Sequence, residues 1–122
     1  VAVSRSSAGN GFVWTVTFSD NVGDQPALVP DKSSLGGSNA NVAVSEVVAG
    51  TDPAFDQGTV GIYTLPLGSS EVSAPSEVQK IKTTSLSSDV GGGFYAHFMG
   101  QQSTLISYDA DETAMKEAIE SM

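Results

Sequence analysis

Residues 91–122, GGGFYAHFMGQQSTLISYDADETAMKEAIESM, decide how this chain folds. Phe94, Ala96 and Phe98 alternate with Tyr95, His97 and Met99, the period-two pattern of a strand with two unlike faces. Gly100-Gln101-Gln102 supplies a turn, and Ser103 to Tyr108 returns as a second strand with Thr104, Ile106 and Tyr108 on one side. A short helix follows, because Ala114, Met115, Ala118, Ile119 and Met122 recur at the spacing that gathers one apolar stripe. Asp109 and Glu112 form a capping-box-like pair at its start, with Asp111 as a competing cap. As the cap, Asp109 would contribute about 1 kcal/mol.

Such a stripe needs a surface to lie on. The chain opens on Val1-Ala2-Val3-Ser4-Arg5, which alternates like the strand expected after such a helix. The sequence therefore predicts one module, 1–122, whose boundary falls between a helix and its following strand, and the first residue, Val1 in place of an initiating Met, suggests a processed or excised segment of a longer precursor. Copies would join head to tail, with Val1, Val3, Met115, Ile119 and Met122 at the contact between units.

Working outward, Ser6 to Gly11 reads as a hairpin turn with Asn10-Gly11 supplying positive φ. Phe12, Trp14, Val16 and Phe18 share the core face of the strand that follows. Asp20 to Pro26 is a loop, Ala27 to Pro30 an irregular edge, and Asp31 to Asn41 polar loop. A strand resumes over 41–49, its alternation broken near Glu46 where a bulge fits. Another is expected over 58–67, ending at an edge because Pro66 lacks an amide donor. Glu77 to Thr83 reads as a half-exposed strand with a poor two-sided pattern, and Gly91-Gly92-Gly93 as flexibility before the last strand pair. The fold class is mainly β: an antiparallel sandwich-like module of about seven to eight strands with one short C-terminal helix.

At 122 residues the chain fits one ordinary domain, able to bury roughly two-thirds of its unfolded surface. Its 14 acidic and 5 basic side chains leave a net charge of -9 with no basic cluster, which disfavours nucleic acid and anionic membranes as partners. The absence of cysteine excludes disulfides, zinc thiolates and cysteine nucleophiles. No apolar run is long enough to span a bilayer as a helix.

Several positions together resemble a known pattern. Gly93-Phe94, Ala96, Phe98, Gly100, Ser103, Ile106, Tyr108-Asp109-Ala110, Met115, Ala118-Ile119 and Met122 resemble one half of it. Val1, Val3, Ser4-Arg5, Trp14-Thr15-Val16-Thr17-Phe18, Gly23-Asp24, Pro26 and Leu28 resemble the other. The pattern is a repeat found in tandem in very large surface and fibrous proteins of algae, oomycetes and some bacteria. The match leaves 31–88 without a strong signature apart from the strand at 42–48. Ser103 replaces the family's Thr and Ala96 its usual Leu, which implies looser packing under that hairpin. The resemblance implies an extracellular, repeat-built structural protein, such as the shaft of an algal flagellar hair or a pilus-like fibril.

Catalysis finds little support. His97 is the only histidine, expected to face solvent or a neighbour, and a triad or zinc site lacks its remaining partners. The triple glycine lacks the Lys and the following helix of a phosphate loop. No carboxylate pair has the flanking aromatics of a sugar platform, which argues against a glycosidase. Three loop sets, Asp20 with Asp24, Asp52 with Asp56, and Asp109 with Asp111 and Glu112, have a spacing that could aim oxygens at calcium, although turn, cap and solubility roles account for them as well. The reading is thus a non-enzymatic module with no cofactor and no assigned metal, partnered by copies of itself. Its alternative is a calcium-dependent adhesive or carbohydrate-binding surface domain. The Ser- and Thr-rich stretches 31–38, 69–76 and 83–88 offer sites for O-linked glycans, and no N-x-S/T acceptor occurs.

Overall fold

The computed structural model describes residues 1–21, 23–51 and 76–122. Within them lie β1 (Ala2–Ala8), β2 (Gly11–Thr17), β3 (Val29–Asp31), β4 (Leu35–Gly36), β5 (Asn41–Val48), β6 (Val78–Thr84), β7 (Gly91–Phe98), β8 (Gln101–Gln102), β9 (Ile106–Ser107) and α1 (Glu112–Glu120). All the pairings among the described residues are antiparallel, so the chain is the mainly β, sandwich-like module with a short C-terminal helix that its periodicities predict. The strand expected at 58–67 lies outside the described residues.

One sheet runs β1-β2-β6-β5, and in the other β3, β4, β8 and β9 all pair with β7. Alternation along β2 turns Trp14 and Val16 inward, Phe18 follows them, and all three are buried. Ile81 and Val42 join them from β6 and β5, while Phe94, Ala96 and Ile106 come from the opposite sheet. Aromatic contacts tie the layers: Trp14 to Phe94 at 5.8 Å between centroids, and Phe18 to Phe98 at 5.4 Å.

Several local expectations change. Ala8 pairs with Gly11, so the first hairpin turns at Gly9-Asn10, one residue early, with Gly9 at φ 56°. Gly11 is needed elsewhere: a Cβ on it would sit 2.0 Å from the Thr83 carbonyl oxygen, which only glycine permits. The second hairpin turns at Met99-Gly100, both at positive φ (51° and 80°) as a type I′ turn demands, and Gln101-Gln102 belongs to β8. The triple glycine is strand, not slack. A Cβ on Gly93 would lie 2.5 Å from the Ile106 carbonyl oxygen and one on Gly92 2.3 Å from that of Ser34, so these two glycines let neighbouring backbone approach β7 closely. Beneath the hairpin Ser103 is buried, its hydroxyl accepting from the Ala96 amide at 3.0 Å and donating to the Thr104 carbonyl at 2.8 Å. The bulge near Glu46 is present, between Glu46 and Val48.

The helix lies against β1 of its own chain. Met115, Ala118 and Ile119 are buried, and Val1, Val3 and Met122 pack partly buried against the same core. The five residues expected between units are therefore engaged within one unit, because β1 brings Val1, Val3 and Arg5 to the side that the helix stripe requires. The helix also covers the edge of β1: Glu112 accepts from the Arg5 amide at 3.0 Å and Glu120 from the Val1 nitrogen at 2.9 Å. Eight helical residues span about 12 Å and four strand residues about 13 Å, which is why the same two elements meet at both points.

The helix cap is Asp111, not Asp109. Its carboxylate accepts from the Ala114 amide at 2.8 Å, whereas Asp109 accepts from the Ser107 hydroxyl at 2.6 Å. Asp111→Ala should lower stability by about 1 kcal/mol in chemical denaturation, with Asp109→Ala costing clearly less. Equal losses, or a larger one at Asp109, would contradict this cap assignment.

Candidate functional site

Three carboxylates converge at one end of the first sheet. Asp24, Glu46 and Glu77 each present an oxygen within 4.8 Å of the others, the one such group among the described residues. Asp24 comes from the loop after β2, Glu46 from the residue before the β5 bulge, and Glu77 from the segment leading into β6. Glu77 is fully buried. It accepts from the Gly50 amide at 2.7 Å and from the Gln79 side-chain amide at 3.1 Å. Gly50 is required here as well, since a Cβ would lie 2.2 Å from the Gly23 carbonyl oxygen.

Gln79 extends the network. It accepts from the Leu28 amide at 2.9 Å and donates to the Pro26 carbonyl at 3.0 Å, so the loop from 23 to 28 is sewn onto β6 through buried side chains. The half-exposed strand expected over 77–83 is present as β6, and it stands between β2 and β5. Gln79, Ile81 and Thr83 are buried while Lys80, Lys82 and Thr84 are exposed, a clean alternation concealed by two polar residues on the inner face.

The electrostatics divide the pair Glu46 and Glu77. A hydrogen bond to Glu77 raises the Glu46 pKa above the usual carboxylate value, helped by repulsion from Glu77, by desolvation and by Asp24. Burial pushes Glu77 upward, but donation from the Gly50 amide, Gln79 and Glu46 outweighs it and holds Glu77 below its usual value. The arrangement can hold one shared proton, carried by Glu46, or in its place one hard cation ligated by oxygens.

The acidic sets expected from spacing do not assemble as such. Asp24 meets Glu46 and Glu77 instead of Asp20, and Asp20 lies 3.7 Å from the Val1 nitrogen. Asp109, Asp111 and Glu112 serve Ser107, the Ala114 amide and the Arg5 amide respectively. Asp52 and Asp56 lie outside the described residues. Glu46 and Glu77 escaped notice because they are 31 positions apart and only the pairing of β5 with β6 joins them. The broken alternation near Glu46 was the one local signal. His97 is half-buried on β7, opposite Val29 and Gln102.

A second polar cluster ties loops together. Asp89 accepts from the Ser38 amide at 3.0 Å, the Ser38 hydroxyl at 2.6 Å and the Ser85 hydroxyl at 2.8 Å. The Ser38 and Ser85 hydroxyls, in or beside stretches read as glycan acceptors, thus already serve as donors within the fold. No family model matches the chain, and no characterised protein or solved structure does so either.

Glu46 and Asp89 have opposite pH signatures. Because Glu46 is raised, its stabilising contribution is complete below the unfolded carboxylate value of 4.5 and fades as pH rises through the folded one. Glu46→Gln keeps a neutral donor toward Glu77, so its melting temperature should gain on the wild type from mildly acidic to neutral pH. Calcium should raise the wild-type value at neutral pH and leave Glu46→Gln unmoved if a cation takes the proton's place. A calcium response identical in both would assign the ion elsewhere.

Asp89 behaves in reverse. Hydrogen bonds from the Ser38 side chain and backbone and from Ser85 lower its pKa to about 2. Its contribution is present above the unfolded value of 3.8 and disappears as pH falls through the folded one. Asp89→Ala should therefore melt below the wild type at neutral pH and converge with it in strong acid, checked by circular dichroism across that range.

Proposed function

We propose that the chain is a structural repeat unit of an extracellular fibril or surface appendage, assembled from copies of itself and without catalytic activity. One observation carries this reading. Residues that give the chain its resemblance to tandem fibre repeats are spent on holding the fold together: Arg5 and Trp14 donate to the carbonyls of Asp109 and Ala110. Such a motif specifies a mechanical part, whereas a catalytic motif would direct its polar groups toward a cleft.

The helix stripe is covered by β1 of the same chain, so contacts between copies would use other surfaces. O-linked glycans on exposed Ser and Thr hydroxyls fit the same extracellular setting. The carboxylate trio favours a second reading, a calcium-dependent surface domain with adhesive or carbohydrate-binding activity. The calcium melts described above discriminate it.

Immunogold labelling of source cells with an antibody to this chain should decorate a filament or surface appendage at regular intervals. Labelling confined to the cell interior, or scattered over the surface without order, would overturn the fibre reading.

A further inference from the structure

The outer face of the first sheet differs from the rest of this acidic molecule. Register places Ser4, Thr15, Lys80 and Ser45 side by side across all four strands, and Lys82 projects from the same face two residues further along β6. Two of the chain's five basic side chains therefore stand on an inner strand of a Ser- and Thr-rich face. Among the described strand residues no carboxylate shares that face, because Glu46 pairs with Gln79 and lies on the inner side. The opposite charge is concentrated on the last segment, where Asp109, Asp111, Glu112, Glu117 and Glu120 stand against Lys116 alone. Glu117 is exposed on the helix side turned away from Met115, Ala118 and Ile119.

We propose that the Lys80/Lys82 face of one copy docks against the outer side of α1 of a second copy, centred on Glu117. The proposal rests on the fibre reading and names its interface. The two patches are different surfaces of one chain, so the contact is heterologous and each copy offers a free patch of each kind to the next; unless rotation closes a ring, growth is open-ended. The lysines point away from the core, and Glu117 is the helix carboxylate with no hydrogen bond or ion pair among the described residues, whereas Asp109, Asp111, Glu112 and Glu120 each hold a contact within the unit.

The expected strength follows from dimensions. Four strands at about 4.8 Å spacing and some six residues at about 3.3 Å give a plane of about 300 Å². That is well below the ~800 Å² per partner of a stable standard-size complex. Isolated copies should therefore associate weakly, and linkage in tandem would strengthen the contact through effective concentration. Charge steering and salt sensitivity should dominate, since exposed ion pairs are individually weak and screened.

Sedimentation velocity of the whole chain at low ionic strength, over rising concentration, tests the interface. The wild type should associate reversibly and dissociate on adding salt. Lys80→Glu with Lys82→Glu, and separately Glu117→Lys, should each weaken association by about tenfold or more, because like charges then face one another. Lys80→Gln with Lys82→Gln should weaken it less. The two charge-reversed proteins, mixed, should bind each other, a restoration that damage to folding would not produce. A wild type that stays monomeric at low ionic strength, or a lysine variant that associates like the wild type, overturns the proposal. Immunogold-labelled filaments alongside such a result would leave the fibre reading standing and remove only this interface. Charge-dependent association in a protein found on no filament would do the reverse.

Discussion

The carbonyl of Ala110 is the point on which the two sheets and the helix depend. It accepts from the Trp14 indole at 2.8 Å in the buried core, and Arg5 donates to it at 3.2 Å and to the neighbouring Asp109 carbonyl at 2.6 Å. Burying an indole N–H without an acceptor costs about 1–3 kcal/mol, so Trp14 can fill the core only where the 109–110 turn comes to meet it. The Arg5 guanidinium lies 4.8 Å over Phe12, which packs against Trp14, which packs against Phe94. With the backbone of Asp109 and Ala110 committed to the sheet, the helix can begin only afterwards. The capping role falls to Asp111 for that reason.

A second constraint comes from polar groups inside the first sheet. Glu77, Gln79 and Thr83 are fully buried along one side of β6 and its approach. Each is offset by bonds to backbone: Glu77 to the Gly50 amide, Gln79 to Pro26 and Leu28, Thr83 to the Phe12 amide at 3.0 Å. Bonds of this kind require the backbones to come close. Gly11 stands against Thr83 and Gly50 against Gly23 at separations no side chain tolerates. Buried hydrogen bonds and glycine positions are two aspects of one packing requirement.

Periodicity alone revealed β2, β7 and the helix, since in each the apolar side chains on one face outnumber the exceptions. At β6 it found the half-exposed strand but not its central place, because the inner face carries Gln79 and Thr83, which a hydropathy reading counts as exposed. It also misjudged glycine. Gly11, Gly92 and Gly93 look like turn and slack in one dimension, yet each stands where another stretch of backbone comes too close for a side chain. The Glu46 and Glu77 pair was illegible for the same reason, as its members meet only through strand pairing. The helix stripe was read correctly as needing a partner; that the partner is the opening strand of the same unit is a matter of topology.

One feature of the first sheet bears on how such units could be strung together. Among the described residues its β1 flank is occupied by two helix carboxylates that take the place of a neighbouring strand's carbonyls, and β5 at the other side is kinked by the bulge at Val47. A ladder blocked on one margin and bent on the other is a poor template for continuing main-chain pairing into an adjacent molecule. If the proposed fibre forms, the first sheet of each module would therefore end within its own module and not run on as a ladder into the next.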